Sequence, residues 1–348
     1  MSSRRLLALR RACALLGVLG VMLLSAGEGA AQPPVYSGKQ IRMVIASGAG
    51  GGYDAYGRLL ARHMGKYIAG NPVFINQNMP GAAGVTATNW TYSVAPKDGS
   101  VILATYNALM AEPLYGNPAA RFDPLKLESV GSISKQQNIC ATWHTSPIKT
   151  IEQAKTREVT VASTGATGNS ATLPKILNTV LGTKFKLIIG YSTTEARLAV
   201  ERGEVDGICG LSYSTLKASN PDWIVNKRIN VLLQTGAKAQ AGLENVPLLI
   251  DLTRNPEDKK VIELISFPEE IGRPFVMPPG TPKEMVTIIR RALDATLKDP
   301  SLLAEAEKTM LEVDPVSGEE MEQLLIRAYA TPKPLVQRAI ELGGSGAQ

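Results

Sequence analysis

From residue 41 onward, short apolar runs alternate with stretches of helical periodicity. Ile41-Arg42-Met43-Val44-Ile45-Ala46 is an apolar run of strand length, and a helical pattern begins near Asp54. The same reasoning predicts strands at 41–46, 72–76, 100–105, 130–133, 137–143, 158–162, 186–190, 206–209 and 229–234. Helices are predicted at 54–68 (closed by Gly70), 82–94, 150–155, 171–181 (closed by Gly182) and 193–202 (closed by Gly203). Thr150, with Gln153 three residues on, opens one of them. Thr281-Pro282-Lys283-Glu284 supplies a cap, a proline at the first helical position and an acid, and opens a helix to about Lys298. Ser317-Gly318-Glu319-Glu320 starts another, which Pro332 and Pro334 bend or break. The longest irregular piece is expected around 251–258. Strands alternating with helices predict an α/β fold with largely parallel sheets. The roughly 315 residues that follow a leader exceed what one core usually holds, so two domains are expected.

Two turns carry the candidate chemistry. The first, Ser47-Gly48-Ala49-Gly50-Gly51-Gly52-Tyr53-Asp54, joins the first strand to a helix. The second, Ser163-Thr164-Gly165-Ala166-Thr167-Gly168-Asn169-Ser170, joins Val159-Thr160-Val161-Ala162 to the helix from Ala171 to Leu181. A strand that feeds a glycine-rich turn and then a helix aims backbone N–H groups and the positive end of the helix dipole at one point, which suits an anion. The competing reading is a tight turn that only lets strand and helix pack. Asp54 is either a helix cap or a pocket acid that repels a second carboxylate or receives a cation. Tyr106 and Asn107 end the third strand beside the first turn, and Tyr191 ends a strand near the second; Tyr213 is a weaker candidate. The third glycine turn, Met79-Pro80-Gly81-Ala82-Ala83-Gly84, reads as packing.

Charge and cysteines narrow the class. The chain of 348 residues has a formal net charge of +6. Arg4, Arg5, Arg10 and Arg11, the apolar stretch from Ala12 to Leu24 and Gly29-Ala30-Ala31 read as a signal peptide over 1–31. Without them 33 basic and 30 acidic residues leave a net of +3. No Lys/Arg run is interleaved with aromatics, so nucleic acid is not an expected partner. Cys13 falls in the signal, and Cys140 and Cys209 either form a disulfide or stay as buried thiols.

Catalysis is poorly supported. After the leader the histidines are His63 and His144, without metal-ligand spacing, and neither a GxSxG elbow nor a GxxxxGK[ST] loop occurs. Gly50-Gly51-Gly52-Tyr53-Asp54-Ala55 satisfies GxGxxA, but no Asp or Glu lies between Asp54 and Asp98 to hold a ribose. No cofactor and no metal are expected.

In order and spacing, several motifs resemble one family along nearly all of the chain, from about Tyr36 to Gly343. A PGG-x-x-D loop corresponds to Ala49-Gly50-Gly51-Gly52-Tyr53-Asp54, and N-x-PGAGG to Asn78-Met79-Pro80-Gly81-Ala82-Ala83-Gly84. AxPDGYTL corresponds to Ala95-Pro96-Lys97-Asp98-Gly99-Ser100-Val101-Ile102, YDP to Phe122-Asp123-Pro124, and GQVD to Gly203-Glu204-Val205-Asp206. A VP pair is Val246-Pro247, and PAGTP stands as Met277-Pro278-Pro279-Gly280-Thr281-Pro282. The chain thus resembles the periplasmic solute-binding receptors of tripartite tricarboxylate transporters, the Bug family. The resemblance implies a type II-like periplasmic binding protein. Lobe 1 would be 36–133 and 231–348, and lobe 2 would be 134–230. Each would be a mixed, mostly parallel sheet flanked by helices and joined to the other at a hinge. It implies a monomer that passes a small organic carboxylate, a di- or tricarboxylate or an aromatic acid, to large and small integral membrane subunits. Its binding roles carry onto Gly50, Gly51, Gly52, Tyr53 and Asp54 and onto Ser163, Thr164, Gly165, Thr167, Gly168, Asn169 and Ser170; with Tyr106, Asn107 and Tyr191 from the strand ends, these are the expected ligand contacts. The family loop G-T-S-S-H stands here as Thr167-Gly168-Asn169-Ser170-Ala171 without His, and Tyr53 is bulkier than the usual Ser or Thr. A sensor that presents ligand to a membrane signalling protein, or a periplasmic enzyme, are the competing readings.

Overall fold

The structure is a computed structural model that describes residues 35–165 and 169–343. The signal peptide expected over 1–31 therefore lies outside the described residues, as do Thr167, Gly168 and the chain after Gly343. Two sheets organise the molecule. The first contains β1 (Gln40–Ile45), β2 (Val73–Asn78), β3 (Val101–Ala104), β4 (Glu128–Ser132), β10 (Pro274–Met277) and β11 (Val316–Ser317), in the order β11-β4-β10-β3-β1-β2. The second contains β5 (Asn138–Trp143), β6 (Val159–Ser163), β7 (Phe185–Ile189), β8 (Gly207–Ser212) and β9 (Ile229–Gln234), in the order β7-β6-β8-β5-β9.

Each sheet is mixed for a topological reason. β1 pairs in parallel with β2 and β3, and β6 with β7 and β8. The antiparallel neighbours are β5, against β8 and β9, and β10, against β3 and β4; the short β11 also runs against β4. β5 and β10 are the strands that receive the chain as it arrives from the other sheet. A strand entered at the crossing edge must run away from that edge. β1 to β4 and β6 to β9 consequently all run toward it, and their carboxyl ends face the other sheet. Two crossings, after β4 and after β9, thus make a two-lobed protein whose strand ends converge on one cleft.

The second sheet keeps β9 through Gln234, hydrogen-bonded along β5. A division between 230 and 231 therefore cuts a single strand. The second crossing starts after Gln234 and includes a helix that the sequence reading left out, α9 (Pro256–Ile271). Asn255 caps it by accepting from the Glu257 N–H, Pro256 stands at its first turn, and Gly272 (φ +66°) ends it.

The other helices cover the sheet faces. They are α1 (Gly52–Met64), α2 (Val85–Ser93), α3 (Ile151–Thr156), α4 (Asn169–Leu181), α5 (Thr193–Glu201), α6 (Tyr213–Ser219), α7 (Pro221–Val225), α8 (Leu249–Leu252), α10 (Lys283–Thr296), α11 (Pro300–Lys308), α12 (Gly318–Tyr329) and α13 (Lys333–Gly343). Leu59, Leu60 and Met64 of α1 and Ile289 and Leu293 of α10 are buried with Met43 and Phe275 of the first sheet. Ala196 and Val200 of α5 and Trp223 of α7 are buried with Ala141 and Ile208 of the second. The terminal helix α13 packs on α9 and reaches α4 of the second lobe, where Thr172 donates to the Gly343 carbonyl at 3.0 Å.

Local signals acted as expected at several ends. Thr150 accepts from the Gln153 N–H and Ser317 from the Glu320 N–H. Thr281 does not cap α10: its hydroxyl donates back to the Pro278 carbonyl and Pro282 takes the capping position. Cys140 and Cys209 oppose each other across β5 and β8 and form a disulfide.

Candidate functional site

The first glycine turn leaves β1 at the cleft edge and opens α1 at Gly52, two residues earlier than the periodicity implied. Gly50 takes φ +83°, a conformation that glycine adopts without a steric penalty. Asp54 points inward and holds the turn from below. It is 4% exposed, accepts the Gly50 N–H at 2.9 Å, and also accepts from Arg58 Nε and Asn78 Nδ2 at 2.8 Å each. Asn78 reaches on to the Ser47 carbonyl at 3.0 Å. Burial raises the pKa of the Asp54 carboxyl. The hydrogen bonds from Arg58, Asn78 and Gly50, with the Arg58 charge, outweigh burial and hold it below the usual carboxylate range. With its oxygens committed in this way, Asp54 acts as the peg of the loop; it does not cap the helix.

No side chain caps α1, and its first intrahelical bond runs from the Ala55 N–H to the Gly51 carbonyl. The N–H groups of Gly52, Tyr53 and Asp54 precede that bond and have no helical partner. The turn itself, from Gly48 to Gly52, is exposed. These are the donors an anion would meet.

Tyr53 and Asn107 are tied to the crossings. The Tyr53 hydroxyl lies 3.1 Å from Asn107 Oδ1, 3.4 Å from Gln136 Oε1 and 3.3 Å from the Gly272 carbonyl, and it accepts the Asn107 N–H at 3.2 Å. Asn107 donates its amide to the Pro268 carbonyl at 2.8 Å. Burial pushes the Tyr53 phenol pKa up. Tyr106 packs on Tyr53, the ring centres 4.4 Å apart. The third glycine turn makes room for it: a Cβ on Gly84 (φ +92°) would come within 2.6 Å of the Tyr106 ring.

In the second lobe, Ser163 ends β6 fully buried, and its hydroxyl donates to the Gly165 carbonyl at 2.8 Å. Ser170, in the first turn of α4, lies 3.0 Å from the Ser163 hydroxyl and accepts the Thr164 N–H at 3.3 Å. The two serines thus pin both ends of this turn. Gly210 of β8 lets it approach, since a Cβ there would collide with the Asn169 carbonyl. Tyr191 sits half-buried beside the turn, its N–H directed at the Ser163 carbonyl at 3.4 Å. Tyr213 lies elsewhere, near Gly242, with Lys217 over its ring.

Sequence reasoning missed Arg273, the first residue after the Gly272 that ends α9. Its guanidinium lies over the rings of Tyr53 and Tyr56, 5.1 and 4.4 Å from their centres, and the residue is 5% exposed. The available signal was a lone cation inside the apolar run Ile271-Gly272-Arg273-Pro274-Phe275-Val276-Met277. A cavity of about 1330 Å3 also flanks the crossings, among Lys135, Gln137, Gln240, Glu269, Glu312 and Asp314. None of the expected site residues lines it. Strand polarity and free donors point instead to the two turns as the candidate site.

The fold defines a two-lobed periplasmic binding protein. The model of the tripartite tricarboxylate transporter family receptor matches residues 57–340, and the chain belongs to that family. A UPF0065 protein of Bordetella bronchiseptica is 26% identical over 294 residues, covering 82% of this chain and 81% of that protein. Among solved structures, a TctC solute-binding protein from Polaromonas without ligand superposes with a TM-score of 0.67 at 20% identity, covering 87% of this chain and 99% of that one. R. palustris Rpa4515 with adipate superposes with a TM-score of 0.62 at 17% identity, covering 88% and 97%. Among the described residues no helix is long and apolar enough to cross a membrane.

Proposed function

We propose that this chain is an extracytoplasmic receptor that captures a small organic carboxylate between its lobes and delivers it to the membrane subunits of a tripartite transporter. The observation that carries this reading is the placement of two helix-opening glycine turns at strand ends that face one cleft, the first with three free N–H groups. Backbone donors at a helix start stabilise a carboxylate without a full opposite charge. Gly50 to Asp54 form the first contact surface and Ser163 to Ser170 the second, with Tyr106 and Tyr191 at the rim. Asp54 and Asn107 serve by shaping the first turn. Adipate in the Rpa4515 structure supports a dicarboxylate of similar length as the first ligand to try. The protein works as a monomer in the periplasm after its signal peptide is removed, and it acts by binding rather than by catalysis.

The test is thermal unfolding of the protein, stripped of ligand by unfolding and refolding, against C4–C6 dicarboxylates, citrate, amino acids, nicotinate and aromatic acids, with NAD and ATP as controls. An acid at 100 times its Kd adds about 2.7 kcal/mol of stability. A shift with one acid class supports the receptor and names the ligand class. A shift with a nucleotide and with none of the acids overturns it.

A further inference from the structure

The first glycine turn has a charged partner that the backbone-only picture of the site lacks. Arg273 is 5% exposed and enters no ion pair within 4.0 Å among the described residues. Its Nε is fully enclosed and has no hydrogen-bond partner. The groups that face the guanidinium are neutral: the ring of Tyr53, and the ring and hydroxyl of Tyr56. Aromatic faces attract a cation, but far less than burial of an unpaired charge costs. An arginine held in this way is short of an anion.

The side chain also lies where an anion is expected. Arg273 Nη1 is 3.3 Å from the point that a Cβ on Gly52 would occupy, so the guanidinium lies directly against the start of α1. That start has no side-chain cap, and Asp54, the nearby acid, is turned away onto Gly50, Arg58 and Asn78. Free N–H groups and an unpaired guanidinium therefore lie side by side at the start of α1, brought there by two independent parts of the chain, the β1–α1 turn and the second crossing.

We infer that Arg273 is the fixed counter-charge of the ligand, so that one ionised carboxylate sits on the N–H groups of Gly52 to Asp54 and against this guanidinium. The inference rests on the carboxylate-receptor reading and sharpens it. The site demands at least one full negative charge at the first turn and rejects an uncharged analogue of the same shape. Tyr53 and Tyr56 act as the walls that hold the guanidinium in place. Because the charge is unpaired without ligand, the free protein is strained there, and removing the charge relieves it.

The experiment compares the wild type with Arg273→Met by calorimetric titration and thermal unfolding. The probes are succinate, glutarate and adipate, with their uncharged diamides as controls. The wild type is expected to bind one of the acids and none of the diamides. R273M is expected to lose about 30-fold or more in affinity for that acid, the scale for truncating one partner of a buried charge pair. The ligand-free R273M protein is expected to unfold at the same temperature as the wild type or higher. Binding by R273M within about threefold of the wild type overturns the inference and leaves the receptor reading intact. So does an earlier unfolding of the ligand-free variant with the acid-induced shift preserved, which marks Arg273 as a packing residue. Should R273M not fold, Arg273→Gln and Arg273→Lys carry the test: R273Q must show the same loss and R273K a smaller one, and equal affinity in all three proteins overturns the assignment. If the wild type responds to none of the acids, the receptor reading itself fails and takes the inference with it.

Discussion

Glu269 makes the stability of the fold depend on pH. It stands in the last turn of α9, where its carboxylate accepts from Asn138 Nδ2 at 2.6 Å and from the Thr235 hydroxyl. Its carbonyl accepts the Gln136 N–H at 2.9 Å. Asn138 opens β5 and Thr235 follows β9, so one side chain joins both crossings. Burial is the dominant effect on this group and favours the neutral acid. The bonds from Thr235 and Asn138 oppose that without reversing it, the neighbouring Glu270 adds to the rise, and the pKa is pushed up to about 7 from an ordinary 4.5. Between those two values the folded protein holds a proton that the unfolded chain has released. Stability from this group is therefore complete below pH 4.5 and falls as pH rises to 7. The 2.5-unit interval corresponds to about 3 kcal/mol. Glu269→Gln keeps the volume and stays neutral throughout, so it removes this dependence alone. Urea unfolding of both proteins at several pH values from 4.5 to 8 isolates it: the stability of E269Q relative to the wild type should climb by about 3 kcal/mol across the range. Parallel curves would refute the reasoning, because they would mean that the carboxyl group titrates alike in the folded and unfolded chains.

Two further outcomes follow from the same framework. The Cys140–Cys209 disulfide closes a loop with a sequence separation of 69, and loop-closure entropy assigns it about 4 kcal/mol. Urea unfolding of the wild type and the double alanine variant should differ on that scale, and coincident curves would show that the bond does not constrain the unfolded chain. Gly272 combines φ +66° with a position where a Cβ would collide with the Ser134 carbonyl of the first crossing, so Gly272→Ala should cost more than about 1 kcal/mol. A melting temperature equal to that of the wild type would show that the two crossings do not press together at this point.

The fold was legible wherever local chemistry and burial agreed. Val159 to Ala162 and Ile41 to Ala46 are apolar on every position or nearly so because both faces of their sheets are covered, and such runs read as strands without ambiguity. β10 was missed although Phe275, Val276 and Met277 are fully buried, because Arg273 and the surrounding prolines interrupt the apolar run. α9 was missed for a related reason. Its polar opening, Pro256-Glu257-Asp258-Lys259-Lys260, looks like surface loop, although Asn255-Pro256 is a helix start by the rule applied at Thr281-Pro282. The glycine turns were legible as turns, since the strand before and the helix after each is a local pattern. Their local supports were not. That Asp54 turns inward depends on Asn78, which the parallel pairing of β1 with β2 places opposite Ile45.

The hinge-side residues were illegible for a deeper reason, and they show how the site is built. Tyr53 reaches Gln136 on the first crossing and Gly272 on the second, and Arg273 leaves that second crossing to lie against Tyr53 and Tyr56. The first turn is thereby fastened to both segments that connect the lobes. The second turn is instead fastened within its own lobe, by Ser163, Ser170 and Gly210. In two-lobed proteins closure is a rotation about the crossings, absorbed by a few residues there. A turn bonded to the crossings moves little in such a rotation, whereas one carried on the far lobe travels with it. On the proposed receptor reading, the asymmetry predicts that the first turn keeps its place relative to the crossings while the lobe that carries Ser163 and Ser170 rotates. No window of sequence encodes this division, because the contacts that fasten the first turn to the crossings join Tyr53 to residues 83 and 219 positions away.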